Sequence, residues 1–100
     1  MNITFQYHDV AASQRLEAFI TERIEKLQTK YDFIVSADVY FKKENARDPE
    51  GRKNVGVRLN VPGQSIFAEE STNSFEASIA EVIDELRSQL QKQKGKMRTY

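Results

Sequence analysis

The spacing of apolar side chains changes period three times along this chain, and that succession limits the fold more than any other feature. Ile3, Phe5 and Tyr7 alternate with Asn2, Thr4 and Gln6, the pattern of a strand with one buried face. From Ser13, a residue type suited to an N-cap, Leu16, Phe19, Ile20, Ile24, Leu27 and Tyr31 recur at helical steps. They predict a helix of about five turns. Val35, Ala37, Val39 and Phe41 restore alternation, and Val55, Val57, Leu59 and Val61 continue it in a third strand.

Turn residues separate these runs. Glu44 to Lys53 is polar, with Asp48-Pro49-Glu50-Gly51 at its centre, and predicts an exposed, mobile hairpin loop. Val61-Pro62-Gly63-Gln64 predicts a tight reversal into a fourth strand around Ser65 to Glu70. Asn73 and Glu76 are spaced as an N-cap and its reciprocal partner. Phe75, Ile79, Val82, Ile83, Leu86 and Leu90 then form one apolar stripe, which Gly95 is expected to end. The order is β-α-β-β-β-α. It predicts one α+β domain spanning residues 1–100: a four-stranded mixed sheet with two helices packed on one face. A right-handed crossover through the first helix makes the first two strands parallel neighbours. The face bearing Tyr40, Lys42 and Arg58 is left to solvent or a partner.

Composition argues against most chemistry. The chain has 100 residues and no cysteine, which removes disulfides, thiolate metal sites and thiol nucleophiles together. His8 is the only histidine, so neither a histidine pair for a metal nor a Ser-His-Asp set with a second imidazole can be assembled. The four glycines are scattered and form no phosphate loop. The carboxylate pairs Glu69-Glu70 and Asp84-Glu85 are neighbours in sequence whose side chains diverge, and a solvated face explains them. No apolar run reaches the roughly 18 residues of a membrane span, and the first residues lack a signal-peptide pattern. The expectation is a cytoplasmic binding protein without catalytic residues, metal, cofactor or small-molecule substrate.

Fifteen basic and fifteen acidic residues cancel, so the distribution of charge is what informs. After Glu85 there is no acid, and Arg87, Lys92, Lys94, Lys96 and Arg98 leave the last fifteen residues at +5. On a wheel of roughly 100° per residue, Arg15, Arg23, Lys26 and Lys30 share one border of the first helix. Arg87, Lys94 and, if the helix persists, Arg98 share one border of the second. Two explanations fit: basic stems covering the edge of an apolar stripe, or a ridge of cations presented to phosphates. Tyr40, Phe67 and Tyr100 are the only candidates for stacking on bases, so recognition of RNA backbone and shape is expected over sequence readout.

The β-α-β-β-β-α order, the segment Leu16-Glu17-Ala18-Phe19-Ile20 through Lys26-Leu27 to Tyr31-Asp32, and the run Ile83-Asp84-Glu85-Leu86-Arg87-Ser88-Gln89-Leu90 followed by Lys92, Lys94 and Lys96 resemble the ribosome hibernation promoting factor family. That family is also called ribosome-associated inhibitor A or sigma-54 modulation protein, and the likeness is to its short form. It implies a translation inhibitor that lies in the mRNA and tRNA groove of the small ribosomal subunit, against 16S-type rRNA, and is monomeric off the ribosome. It also implies that Arg23, Lys26, Arg87, Lys92, Lys94 and Lys96 face rRNA, with Lys30 adjacent. Glu22, Glu25 and Glu85 depart from the family pattern and weaken the expected field. Without the extra C-terminal domain of long forms, unaided ribosome pairing is not expected. Two competing readings are a double-stranded RNA module, which shares the α-β-β-β-α order, and an acylphosphatase-like hydrolase, which would need a phosphate-binding loop.

Overall fold

The computed structural model describes residues 1–45, 47 and 51–97. The elements are β1 (Asn2–His8), α1 (Gln14–Lys30), β2 (Ser36–Lys43), β3 (Lys53–Val61), β4 (Gln64–Thr72) and α2 (Phe75–Met97). They form one sheet in the order β1-β2-β3-β4. β1 runs parallel to β2, and the two hairpins are antiparallel. The mixed sheet with its crossover helix is therefore as expected.

Alternation in the strands fixes the two faces. Ala37, Val39, Phe41, Val55, Val57, Leu59, Ile66 and Ala68 point into the core, where Leu16, Ile20, Ile24 and Leu27 of α1 and Ile79, Val82, Ile83, Leu86 and Leu90 of α2 cover them. Phe41 joins three elements: its ring stacks on Tyr7 at 5.2 Å between centroids and meets Phe75 edge-on at 5.7 Å. The opposite face carries Tyr40, Lys42, Arg58 and Phe67, and no helix or strand among the described residues covers it.

Local chemistry sets the boundaries. Ser13 caps α1 by accepting a hydrogen bond from the Leu16 amide at 3.2 Å. For α2 the expected cap was one residue off. Ser74, not Asn73, accepts from the Ala77 amide at 3.1 Å, while Thr72 Oγ1 accepts from the Ser74 amide at 3.2 Å. The buried Ser78 hydroxyl fixes this start by donating to the Lys53 carbonyl at 2.6 Å. Glu76 thereby loses its place as capping partner and binds Arg15 instead.

Three other expectations shift. Gly95 does not end α2, which runs on to Met97. Its backbone stays out of the left-handed region and its α-carbon faces open space, so the flanking lysines carry the helix through. Val35 is 63% exposed and precedes β2, whereas Ile34 is buried in its place. β4 is also longer than Ser65 to Glu70, because Gln64 pairs directly with Val61 across a two-residue turn where Gly63 has φ 86°. In the β2–β3 connection the Glu44 amide donates to the Arg52 carbonyl at 2.9 Å, while the expected turn residues Asp48, Pro49 and Glu50 lie outside the described residues.

Candidate nucleic-acid interface

The described cations singled out by the helical wheels occupy four settings. At the C-terminal end of α1, the Lys30 ammonium lies 5.6 Å from the centre of the Tyr31 ring. From α2, the Lys94 ammonium reaches the same ring at 5.7 Å. Tyr31 is buried, so its ring is a fixed platform on which two positive charges from different helices converge. Neither lysine has an ion-pair partner among the described residues. Both line one depression with Gln91 and Gly95, so a single anion can approach both charges.

Arg23 sits elsewhere on α1, with its guanidinium 3.8 Å from the centre of the Phe19 ring. That stack leaves its N–H edges available. Lys26 and Arg87 are engaged within their own helices: Lys26 pairs with Glu22 at 3.3 Å and Arg87 with Asp84 at 2.8 Å. All four side chains are well exposed, so each pair is worth little and a phosphate can compete for the cation. Arg15, expected on the same border, is committed to Glu76 at 2.7 Å and braces α1 against α2.

Lys92 and Lys96 do not join this group. They stand roughly 140° and 180° around α2 from Arg87. With Gln89 and Gln93 they line a shallow depression beside Gln64, Ser65 and Ile66 of the β3–β4 hairpin. The sequence suggested one basic ridge. The tertiary structure divides it into a patch between the helices and a patch at the hairpin end of α2. Arg98 lies outside the described residues, as does Tyr100.

The acids bring one unforeseen contact. Glu69 and Glu70 point to opposite faces of β4, and Glu70 meets Glu85 of α2 instead. A hydrogen bond between these carboxyls, reinforced by partial burial and by the nearby charges of Glu70 and Glu81, raises the Glu85 pKa. The folded protein thus binds the shared proton more tightly than the unfolded chain. This contribution to stability falls as pH rises from the ordinary carboxylate range through the raised value. Glu85→Gln is expected to raise stability at neutral pH by about 0.5 kcal/mol or less, given the exposure of the pair. Thermal melts at pH 7 and pH 4 check this, with the gain at pH 7 vanishing at pH 4; a loss at pH 7 would contradict it. Glu76 moves oppositely: its hydrogen bond from Arg15 lowers the carboxyl pKa, so that bridge stabilises above the ordinary carboxylate range and weakens as pH falls through the lowered value.

No group of three or more His, Cys, Asp or Glu side chains suited to a metal ion occurs among the described residues. His8 is exposed and contacts Asp9 at 3.6 Å. No helix among the described residues is long and apolar enough to cross a membrane.

The family model described as "Sigma 54 modulation protein / S30EA ribosomal protein" matches residues 3–98. The chain belongs to that family. Among curated proteins of known name, the "Ribosome hibernation promotion factor" of Deinococcus radiodurans is 34% identical over 84 residues, covering 84% of this chain and 44% of the relative. The chain thus spans less than half of that relative's length. The "Ribosome hibernation promoting factor" of Pseudomonas putida is 24% identical over 99 residues, covering 99% of this chain and 92% of the relative. Among solved structures, a ribosomal subunit interface protein from Coxiella burnetii superposes with a TM-score of 0.83 at 21% identity, covering 95% of this chain and 99% of that one. The N-terminal domain of Thermus thermophilus Protein Y superposes with a TM-score of 0.77 at 17% identity, covering 92% and 98%. These two likenesses concern the S30EA-type fold, with its mixed sheet and helical layer.

Proposed function

We propose that this chain is a ribosome hibernation factor. It binds the small ribosomal subunit where mRNA and tRNA would lie, against 16S-type rRNA, and holds resting ribosomes inactive. The observation that carries this reading is the family match over residues 3–98, joined by the name shared by its curated relatives. The geometry supports it by supplying a rigid cationic platform on a chain of zero net charge.

Lys30, Lys94 and Arg23 are the primary phosphate contacts in this reading. Lys26 and Arg87 exchange weak intrahelical partners for phosphates, and Lys92 and Lys96 form a second contact. Affinity then comes mainly from phosphate neutralisation, and no step requires a cofactor or a reaction. A cytoplasmic location and a monomeric state off the ribosome go with it.

Co-sedimentation tests the proposal. The protein is expected to travel with small subunits or intact ribosomes at low salt and to dissociate as salt rises. Each neutralised phosphate contributes a slope of about −0.9 in log K against log salt. Retention at the top of the gradient with ribosomes present, together with tight binding to free duplex RNA, would replace this reading with that of a duplex-RNA module.

A further inference from the structure

We propose that the open face of the sheet holds a stacking site for one unpaired base of a single-stranded RNA segment. This site lies on the side of the sheet opposite the helices. It rests on the reading of the chain as an RNA binder but not on the helical cations.

Its aromatic wall is Phe67 of β4, whose ring covers Gly56 of β3. In register Gly56 is flanked by Tyr40 of β2 and Glu69 of β4. The missing side chain lets the Phe67 ring lie over the strand: a Cβ at Gly56 would meet Phe67 Cζ at 3.2 Å, and none of its three nearest atoms belongs to Tyr40. The ring thus fills the space above Gly56, and a notch lies between it and Tyr40. Phe67 is 42% exposed, although an aromatic side chain of this size usually buries more of its surface. Among the described residues it is the one exposed aromatic of an otherwise polar face.

The groups around the notch suit a nucleotide. The Arg58 guanidinium lies 5.7 Å from the centre of the Phe67 ring, and Lys42 follows Tyr40 by two residues on the same face. Asp38, opposite Arg58 in register, is already engaged by Thr4 at 2.7 Å and Asn60 at 3.5 Å. Gln6 and Glu69 offer donor and acceptor groups to a base edge. With Tyr40, Lys42, Arg58 and Phe67 these two line a concavity of ≈ 500 Å³, within the range of roughly 300–1,000 Å³ typical of small-ligand sites. A flat ring fits this site better than a branched aliphatic side chain, because it can lie against the Phe67 ring and the planar Arg58 cation that stands over it.

Charge on this face is close to balanced, with Lys42 and Arg58 against Asp38 and Glu69. Stacking must therefore contribute more than phosphate neutralisation, unlike on the helix side. The two faces should differ in salt response, with binding at the notch falling less steeply as salt rises.

The test uses the intact chain and fluorescence anisotropy with a labelled eight-nucleotide oligoadenylate. Phe67→Leu is expected to weaken binding by about tenfold, within the range for loss of one base–aromatic stack. Phe67→Tyr restores it, and Gly56→Val, which displaces the Phe67 ring, weakens it comparably. Thermal melts identify any variant that has lost its fold, and the exposed Phe67→Leu change then serves as the deciding one. Lys30→Glu with Lys94→Glu weakens ribosome binding but keeps the roughly tenfold ratio that Phe67→Leu produces toward oligoadenylate when it is added in that background. Absence of binding by the unaltered chain, equal binding by Phe67→Leu, or loss of the Phe67→Leu effect in the Lys30→Glu, Lys94→Glu background overturns the site. Competition by adenosine monophosphate as strong as that by the oligonucleotide overturns the choice of RNA as occupant. Failure of the ribosome reading registers separately, in sedimentation.

Discussion

Reversing the charge at Lys30 and Lys94 together is expected to weaken binding to the small ribosomal subunit by roughly 30- to 150-fold, or about 2–3 kcal/mol. The physical basis is their shared position. Both ammonium groups lie within 6 Å of the centre of the buried Tyr31 ring, and neither has an ion-pair partner among the described residues. They require no existing bond to be broken before they meet a phosphate. The log–log salt slope should also flatten by about two, one unit for each lost contact. Lys26→Glu and Arg87→Glu serve as comparisons. Each of those cations already has a carboxylate in its own helix, so each should cost less than either lysine at the platform. Sedimentation at several salt concentrations measures all of these effects, and thermal melts should stay within about 1 kcal/mol of the unaltered chain. A double reversal that leaves ribosome binding and its salt slope unchanged would remove the platform from the interface.

Phe41→Ala is expected to be the most destabilising single truncation of the sheet's inner face, at about 3–5 kcal/mol. Phe41 is fully buried, stacks on Tyr7 from β1 and meets Phe75 at the start of α2. Its removal leaves a void bordered by three elements that cannot collapse together without shifting the sheet register. For a domain of this size the loss corresponds to a fall in melting temperature of at least about 12 °C. Phe41→Leu keeps most of the volume and should cost less than half as much. Denaturant or thermal unfolding decides it, and a cost below about 1 kcal/mol would show that Phe41 does not tie these three elements together. Because α2 carries Lys94, the same variant should lose ribosome binding near its melting temperature while retaining it well below.

Much of the fold was legible because periodicity is a local property. Ile3, Phe5 and Tyr7, the stripe of α1, the run Val55 to Val61 and the stripe of α2 each declare their element without reference to the rest of the chain. The errors arose where tertiary contacts override local preference. Asn73 and Ser74 are both competent caps, and the contacts of Thr72 and Ser78 selected Ser74. Gly95 looked like a stop, yet the expected left-handed conformation does not form there.

By itself, the sequence determined the order of elements, the burial of one sheet face, the absence of thiol and paired-histidine chemistry, and the presence of cations on both helices. Only the tertiary structure decided which cations act together. A helical wheel places side chains around one axis, but it cannot give the rotation of one helix against another. That rotation brings Lys30 and Lys94 to Tyr31, commits Arg15 to Glu76, and sends Lys92 and Lys96 to the hairpin end. The meeting of Glu70 with Glu85 and the notch beside Gly56 have the same origin. Each joins residues far apart in the chain, and their proximity follows from strand register and helix packing.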